Sequence, residues 1–168
     1  SEMTVLENVM IGRHLKGSYP RFAALKPFTA LLELISVSRG ERDILENSLK
    51  WLEFFNLADS ADKPSRSLPY GKQRELEIAR ALATEPELLF LDEPAAGLSP
   101  SERVILTGLI KQLPAETTLI LIEHDMEIVL DLADTITVLN RGEVIAEGKP
   151  EEIRSNQEVQ KVYLGSSY

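Results

Sequence analysis

The sequence predicts an α/β fold in which a helical N-terminal part precedes a region of alternating strands and helices. Two apolar runs, Leu88–Leu91 and Leu119–Ile122, are separated by a helical pattern and each is followed by polar residues. Continuous apolar strands that alternate with helices are typical of a parallel sheet covered on both faces. Two further strand patterns flank Asn140-Arg141-Gly142, and this spacing predicts a β-hairpin.

The composition limits the classes of function. The chain has 168 residues, a formal net charge of −9 and no cysteine. The acidic balance, with no basic cluster, disfavours a nucleic-acid surface, and the lack of cysteine excludes disulfides and thiolate metal sites. The longest aliphatic run, Leu119–Ile122, is too short to span a bilayer. We therefore expect any membrane role to be peripheral and to act through a partner.

The first part of the chain, residues 1–62, is helical in pattern. Thr4 and Glu7 have the spacing of a capping box, and so do Ser38 and Glu41, so each pair predicts the start of a helix. The stripe expected on the second helix is Ile44, Leu45, Leu49, Leu52 and Phe55. A boundary at Lys63-Pro64-Ser65 divides this helical subdomain from residues 63–168.

The second part contains the remaining elements. Ser99 and Asp125 are the N-caps expected for two of its helices. The predicted helices and strands are Lys72–Thr84, Leu88–Leu91, Pro100–Leu113, Leu119–Ile122, Met126–Leu132, Ile136–Leu139, Val144–Ala146 and a last helix that starts at Lys149.

Asp92 and Glu93 come directly after an apolar strand, where ligands bind in open parallel sheets. Asp92 can hold Mg²⁺ against phosphate oxygens, and Glu93 can orient an attacking water and accept its proton. Acidic residues after a strand often only begin a solvated loop. The following Pro94 and the turn Ala96–Ser99 favour the functional interpretation.

Gly71 precedes a helical pattern, and a helix N-terminus next to a glycine is a site for anions. Lys72 and Arg74 oppose the helix dipole there, and a bound phosphate would remove that conflict. A plain loop-to-helix junction with exposed basic residues remains the alternative. His124 follows the neighbouring strand and could reach the same crevice to contact a γ-phosphate, although a lone histidine at a strand end is usually structural.

Together these residues resemble the ATP-binding subunit of ABC transporters. Tyr70-Gly71-Lys72-Gln73 resembles the signature loop of that family, Asp92-Glu93 the end of its Walker B strand, Ala96-Gly97-Leu98-Ser99 its D-loop and His124 its switch histidine. Leu-Pro-Tyr-Gly, Ile-Glu-His-Asp-Met and the ending Val162–Gly165 are similar to the branched-chain amino acid uptake type. The similarity covers essentially the whole chain.

The resemblance implies the C-terminal part of a P-loop NTPase-type parallel sheet with an inserted helical subdomain and a terminal hairpin. It implies ATP and Mg²⁺ as ligands, with Glu93 and His124 catalytic and Asp92 at the metal. The residues implied to contact the nucleotide are Tyr70, Gly71, Lys72, Gln73, Gly97, Leu98 and Ser99.

The same resemblance implies the partners. A second ATP-binding subunit would pair head to tail, so that Gly71 serves the γ-phosphate bound by the opposite subunit. The helical part would dock on transmembrane permease subunits, at the cytoplasmic face of the cell membrane. An ABC ATPase for another cargo, such as an exported lipid, and a catalytically silent interaction module are the alternatives.

The sequence departs from the family at several points. The phosphate loop Gly-x-x-x-x-Gly-Lys-Ser/Thr is absent, which predicts a C-terminal portion of a longer subunit with exposed apolar residues near Leu88–Leu91. Pro69 stands where the family has serine, and Ser99 replaces the aspartate of the D-loop. We hypothesise that the charge of Lys72 offsets the missing serine contact.

Overall fold

The computed structural model describes residues 3–14 and 29–163, with side chains described for 3–13 and 42–163. The helices are α1 (Val5–His14), α2 (Thr29–Phe54), α3 (Tyr70–Leu82), α4 (Pro100–Lys111), α5 (Met126–Leu132), α6 (Pro150–Ser155) and α7 (Gln157–Tyr163). The strands are β1 (Leu88–Asp92), β2 (Thr118–Ile122), β3 (Ile136–Asn140) and β4 (Glu143–Gly148). Single 3-10 turns lie at Ala58–Ser60 and Ser65–Ser67. The predicted mixed α/β class is confirmed.

The chain divides into two compact units. The first comprises residues 1–89 and 115–118, and the second comprises 90–114 and 119–168. The functional boundary expected at residue 62 lies inside the first unit and stays a prediction. Among the described residues, no helix is both long enough and apolar enough to cross a bilayer.

In the first unit, helices α1, α2 and α3 pack around a shared apolar core. Its fully buried side chains include Val5, Val9, Leu52, Phe55 and Leu82. The predicted capping box starts α1: the Thr4 amide donates to Glu7 Oε2 at 2.8 Å, and the Glu7 amide donates to Thr4 Oγ1 at 3.2 Å.

The helix start predicted at Ser38 is wrong. The helix runs without interruption from Thr29 to Phe54, so Ser38 is not an N-cap. Gly40 inside a helix costs only about 0.5–1 kcal/mol relative to alanine, which burial of the helix's apolar stripe offsets. Leu45 of the predicted stripe is exposed. Ser48, which does not belong to the predicted stripe, is buried, and its hydroxyl donates to the Ile44 carbonyl at 2.7 Å.

Strands β1 and β2 are hydrogen-bonded neighbours. The Thr118 amide donates to the Glu87 carbonyl at 2.8 Å, and the Glu93 amide donates to the Ile122 carbonyl at 2.8 Å. The first bond joins the amino ends of the two strands and the second joins their carboxyl ends, so the strands are parallel. Their carboxyl ends lie at one edge, as the sequence predicts.

One face of this strand pair is exposed. Leu89 and Leu91 are buried, whereas Phe90 between them is 61% exposed. On β2, Ile120 and Ile122 are also exposed. The apolar exposure expected near Leu88–Leu91 is thus confirmed for one face, while the expectation that both faces are covered does not hold for the residues described.

The C-terminal hairpin and the last helices enclose one apolar cluster of the second unit. The buried residues of this cluster are Ile136, Val138, Ile153 and Val159. Asn140 pairs with Glu143 across the two-residue turn Arg141-Gly142, in which both residues have positive φ angles of 51° and 86°. Such angles suit the type I′ turn that joins two antiparallel strands, so the predicted hairpin is confirmed. Helix α7 was not expected from the sequence.

We predict that Gly12→Ala destabilises the protein. A Cβ atom at Gly12 would lie far inside contact distance of the Arg80 carbonyl oxygen, because α1 and α3 approach closely there. The backbone must shift, which costs about 1–3 kcal/mol in the free energy of unfolding. Gly108 in α4 is the matched control, since its Cβ would meet nothing within 4 Å. Gly108→Ala should stabilise by up to about 1 kcal/mol, and equal effects in denaturant titrations would contradict this account of Gly12.

We predict that this chain self-associates when it is prepared alone. The exposed Phe90, Ile120 and Ile122 form an apolar surface of a kind that monomeric proteins rarely leave uncovered. Sedimentation should show oligomers, a hydrophobic dye should bind, and Phe90→Ser should weaken both signals. A monodisperse monomer that binds no dye would overturn the prediction.

Candidate functional site

Five of the predicted site residues follow β1 or end it, and His124 follows β2. Asp92 is the last residue of β1, Glu93 comes next, and Gly97–Ser99 form the turn before α4. His124 lies two residues beyond the end of β2. The hydrogen bond from the Glu93 amide to the Ile122 carbonyl places the two chain segments side by side. All of these residues belong to the second unit.

Glu93 and His124 are brought together. Nδ1 of His124 lies 3.3 Å from Oε1 of Glu93, and the two side chains are 68% and 50% exposed. Glu93 has a φ angle of 43°, in the left-handed region that residues with a Cβ rarely adopt. That conformation costs about 1–2 kcal/mol, so the surrounding contacts must hold it. The pair is open to solvent, as a site for a water molecule and a ligand must be.

Asp92 has an exposed carboxylate at the end of β1. Within the described ranges, no hydrogen bond or ion pair occupies it, and no group of three or more acidic, histidine or cysteine side chains forms a metal cage. Mg²⁺ is commonly bound by one or two carboxylates together with substrate phosphates and water. A single free carboxylate therefore fits Mg²⁺ that arrives with a phosphate ligand.

The turn from Pro94 to Ser99 is held by short backbone bonds. The Ala96 amide donates to the Glu93 carbonyl at 3.0 Å, and Gly97 supplies a positive φ of 76°. Ser99 then caps α4, because its Oγ accepts from the Glu102 amide while Glu102 Oε2 accepts from the Ser99 amide. The Ser99 hydroxyl, expected to contact nucleotide, is thus engaged in the capping box of its own helix.

Sequence reasoning missed two residues that support this arrangement. Glu123 accepts a hydrogen bond from the Ala95 amide at 3.1 Å and another from the His124 amide at 3.2 Å. Arg103 donates to the Leu98 carbonyl at 3.1 Å and to Asp125 at 3.0 Å. Both link the segment after β1 to the segment after β2. An acidic residue directly after an apolar strand was the available signal for Glu123.

The predicted signature residues lie in the first unit, at the start of α3. Pro69 is the N-cap and provides no side-chain hydrogen bond, as expected from its replacement of serine. Tyr70 is exposed, Gly71 is buried, and Gln73 donates through Nε2 to the Leu68 carbonyl at 2.8 Å. A helix that begins at Tyr70 is compatible with the anion site expected from the sequence.

The basic residues of this helix start are neutralised within the helix. Lys72 Nζ lies 2.6 Å from Glu75 Oε2 and also donates to the Phe55 carbonyl at 3.2 Å. Arg74 pairs with Glu77 at 2.9 Å. The conflict with the helix dipole is therefore reduced without a phosphate. Lys72 would have to break its contacts with Glu75 and with the Phe55 carbonyl to reach a bound phosphate.

Arg74 is also bound to the exposed signature tyrosine. Its Nε donates to the Tyr70 hydroxyl at 3.0 Å, and its guanidinium lies 5.2 Å from the centre of the Tyr70 ring. The hydrogen bonds to Glu77 and then to Tyr70 raise the pKa of Arg74 above its ordinary value. Arg74 is therefore a permanent cation that orients the Tyr70 ring.

Two family models match the chain. The model described as "ABC transporter" matches residues 1–96, and the model described as "Branched-chain amino acid ATP-binding cassette transporter" matches residues 143–168. The first match covers more than half of the chain.

Curated relatives agree with these matches. The high-affinity branched-chain amino acid transport ATP-binding protein LivG of Escherichia coli (strain K12) is 43% identical over 99% of this chain, and BraF of Pseudomonas aeruginosa is 42% identical over 99%. The chain spans 64% of the length of these relatives.

Solved structures show the same fold. An ATP-binding cassette of an ABC transporter in its ADP conformation superposes with a TM-score of 0.73 at 31% identity, over 98% of this chain and 64% of that one. A nucleotide-free ATP-binding cassette from an ABC transporter superposes with a TM-score of 0.71 at 33% identity, again over 98% and 64%.

We predict that Lys72→Met destabilises the protein. The carboxylate of Glu75 is only 7% exposed, and its partner Lys72 is 34% exposed. Loss of the ammonium weakens the compensation of a buried charge, which should lower the free energy of unfolding by about 1–3 kcal/mol. Lys111→Met is the matched control, because the Lys111–Asp131 pair is half-exposed on both sides and should contribute at most about 1 kcal/mol. Similar losses in denaturant titrations would contradict the structural role of Lys72.

Proposed function

This chain belongs to the ABC transporter family, and from that membership we propose that it is part of a transporter subunit that binds and hydrolyses ATP. The observation that supports hydrolysis best is the 3.3 Å separation between Glu93 Oε1 and His124 Nδ1 at the carboxyl ends of two paired strands. A carboxylate and an imidazole at this edge can act together on a phosphate ligand and a water molecule.

In the proposed reaction, Glu93 orients a water molecule and accepts its proton as the water oxygen attacks the γ-phosphorus. The bond from the γ-phosphorus to the oxygen bridging the β-phosphate breaks, and ADP and phosphate are released. His124 contacts the γ-phosphate, and its exposed ring leaves room for that ligand. Asp92 would hold Mg²⁺, which neutralises phosphate charge when it is bound.

We propose that hydrolysis requires a second ATP-binding subunit. Tyr70, Gly71, Lys72 and Gln73 would contact the γ-phosphate held by the opposite subunit, through the backbone at the start of α3. The exposed turn at Gly97 would face the same subunit boundary, with Leu98 buried beneath it. Ser99 would act here through its backbone, because its hydroxyl is occupied by Glu102.

The cargo we propose is a branched-chain or related amino acid, moved into the cell. Relatives with 42–43% identity are named as high-affinity branched-chain amino acid transport proteins, and residues 143–168 match the family model for that type. Transmembrane permease subunits would be the partners of the helical part at residues 1–62. The subunit would then lie at the cytoplasmic face of the membrane, where ATP is available.

We predict that Glu93→Gln nearly abolishes ATP hydrolysis in the intact subunit. An amide cannot accept the proton of the attacking water, so kcat should fall by about 10²–10⁴-fold. The KM for ATP should change little, because the substitution keeps the size of the side chain. Glu116→Gln is the matched control, since Glu116 is exposed in the loop before β2. Steady-state phosphate release measures both variants, and full activity of Glu93→Gln would refute its role.

A further inference from the structure

Glu123 is a buried carboxylate that the proposed reaction does not use. It lies between the end of β2 and His124, and its side chain is only 1% exposed. Burial of a charged group is unfavourable unless hydrogen bonds replace the lost water. Here each carboxylate oxygen accepts a hydrogen bond from one backbone amide. Oε1 accepts from the Ala95 amide at 3.1 Å, and Oε2 accepts from the His124 amide at 3.2 Å.

These two bonds join the segments that carry the hydrolytic pair. Ala95 lies two residues after Glu93, and the other amide belongs to His124 itself. Oε2 of Glu123 is also 3.8 Å from His124 Nδ1, so its negative charge faces the same ring edge as Glu93 does. One side chain thus constrains the backbone next to both members of the pair.

The need for such a constraint comes from Glu93. Its left-handed backbone, with φ of 43°, persists only where neighbouring contacts hold it. The Ile122 carbonyl holds the Glu93 amide at 2.8 Å, and Glu123 holds the turn two residues later. The second link, from Arg103 to Leu98 and Asp125, is partly exposed and is expected to be weaker.

We propose that Glu123 is a positioning residue that keeps Glu93 and His124 in their hydrolytic arrangement. This inference rests on the proposed function, because it assigns the pair to ATP hydrolysis. Glu123 does not touch the reacting atoms. It acts by holding the Ala95 and His124 amides in place, because its carboxylate accepts one hydrogen bond from each of them.

The chemistry of the bridge predicts which substitutions fail. Both oxygens of Glu123 face N–H donors, whereas the glutamine side chain offers one oxygen and one NH₂ group. Glu123→Gln therefore keeps at most one of the two bonds and places a donor against the other amide. Glu123→Asp keeps the charge but is one methylene shorter, so it cannot reach both amides. If charge alone mattered, aspartate would rescue the activity.

The first test is steady-state ATP hydrolysis by the intact transporter subunit. Glu123→Gln and Glu123→Asp should each lower kcat by about 10–100-fold, because small displacements of reacting groups have effects of that size. The KM for ATP should stay within about threefold, since binding groups are untouched. Glu127→Gln is the matched control: the same change on an exposed residue of α5 should leave kcat within about twofold.

The second test is amide hydrogen exchange at Ala95 and His124, with Val138 in the core as an internal control. In Glu123→Gln, exchange at one or both amides should be about tenfold faster, whereas exchange at Val138 should be unchanged.

Unchanged exchange at both amides would overturn the bridge, and faster exchange with full kcat would overturn the positioning role. If the wild-type subunit hydrolyses no ATP, the proposed function and the positioning role of Glu123 both fail, while the exchange rates still decide whether the bridge exists. Should Glu123→Gln not fold, Glu123→Asp provides the same two measurements.

Discussion

The parallel pairing of β1 with β2 is the constraint on which the candidate site depends. The Glu93 amide continues that pairing beyond β1 by donating to the Ile122 carbonyl at 2.8 Å. Because the strands are parallel, their following residues emerge at the same edge. Glu93 and His124 meet there although they are far apart in the sequence, and the buried carboxylate of Glu123 ties the two emerging segments together.

The start of α3 and the carboxyl end of β1 differ in how their charges are paired. In the first unit, Lys72 and Arg74 at the start of α3 are matched by carboxylates one turn later, so the helix start is locally balanced. At the carboxyl end of β1, among the described residues, Asp92 has no ion-pair partner and Glu93 is paired with His124. Carboxylates that are not paired with lysine or arginine at the carboxyl end of a strand suit a site that binds a metal ion together with a phosphate ligand.

Helix starts that depend on residues close together in the sequence could be predicted from the sequence. The caps at Thr4, Ser99 and Asp125 involve residues a few positions apart, and each was predicted at the correct residue. Ser38 and Glu41 have the same spacing but lie inside α2, because the helix continues through them. The spacing of a capping box does not reveal whether a preceding helix ends.

In the candidate site, too, the sequence predicts local features but not contacts between distant residues. Strand patterns and the parallel order of the strands were enough to place the segments carrying Asp92, Glu93 and His124 at one edge of the sheet. The strand pattern marks Glu123 as an acidic residue at the strand end, but its hydrogen-bond partner could not be predicted, because that partner is an amide 28 residues away. The partners of Lys72 were missed for a related reason: one of them is the carbonyl of Phe55, in a different element.

The most direct test of this account is a double-mutant cycle between Glu93 and His124 on ATP hydrolysis by the intact subunit. Glu93→Gln, His124→Ala and the double variant would be compared by single-turnover rates at saturating Mg-ATP. If the two residues act as one unit, the double variant should lose little more than the worse single variant. Fold-losses that simply multiply would show that the residues act independently, and would contradict the account.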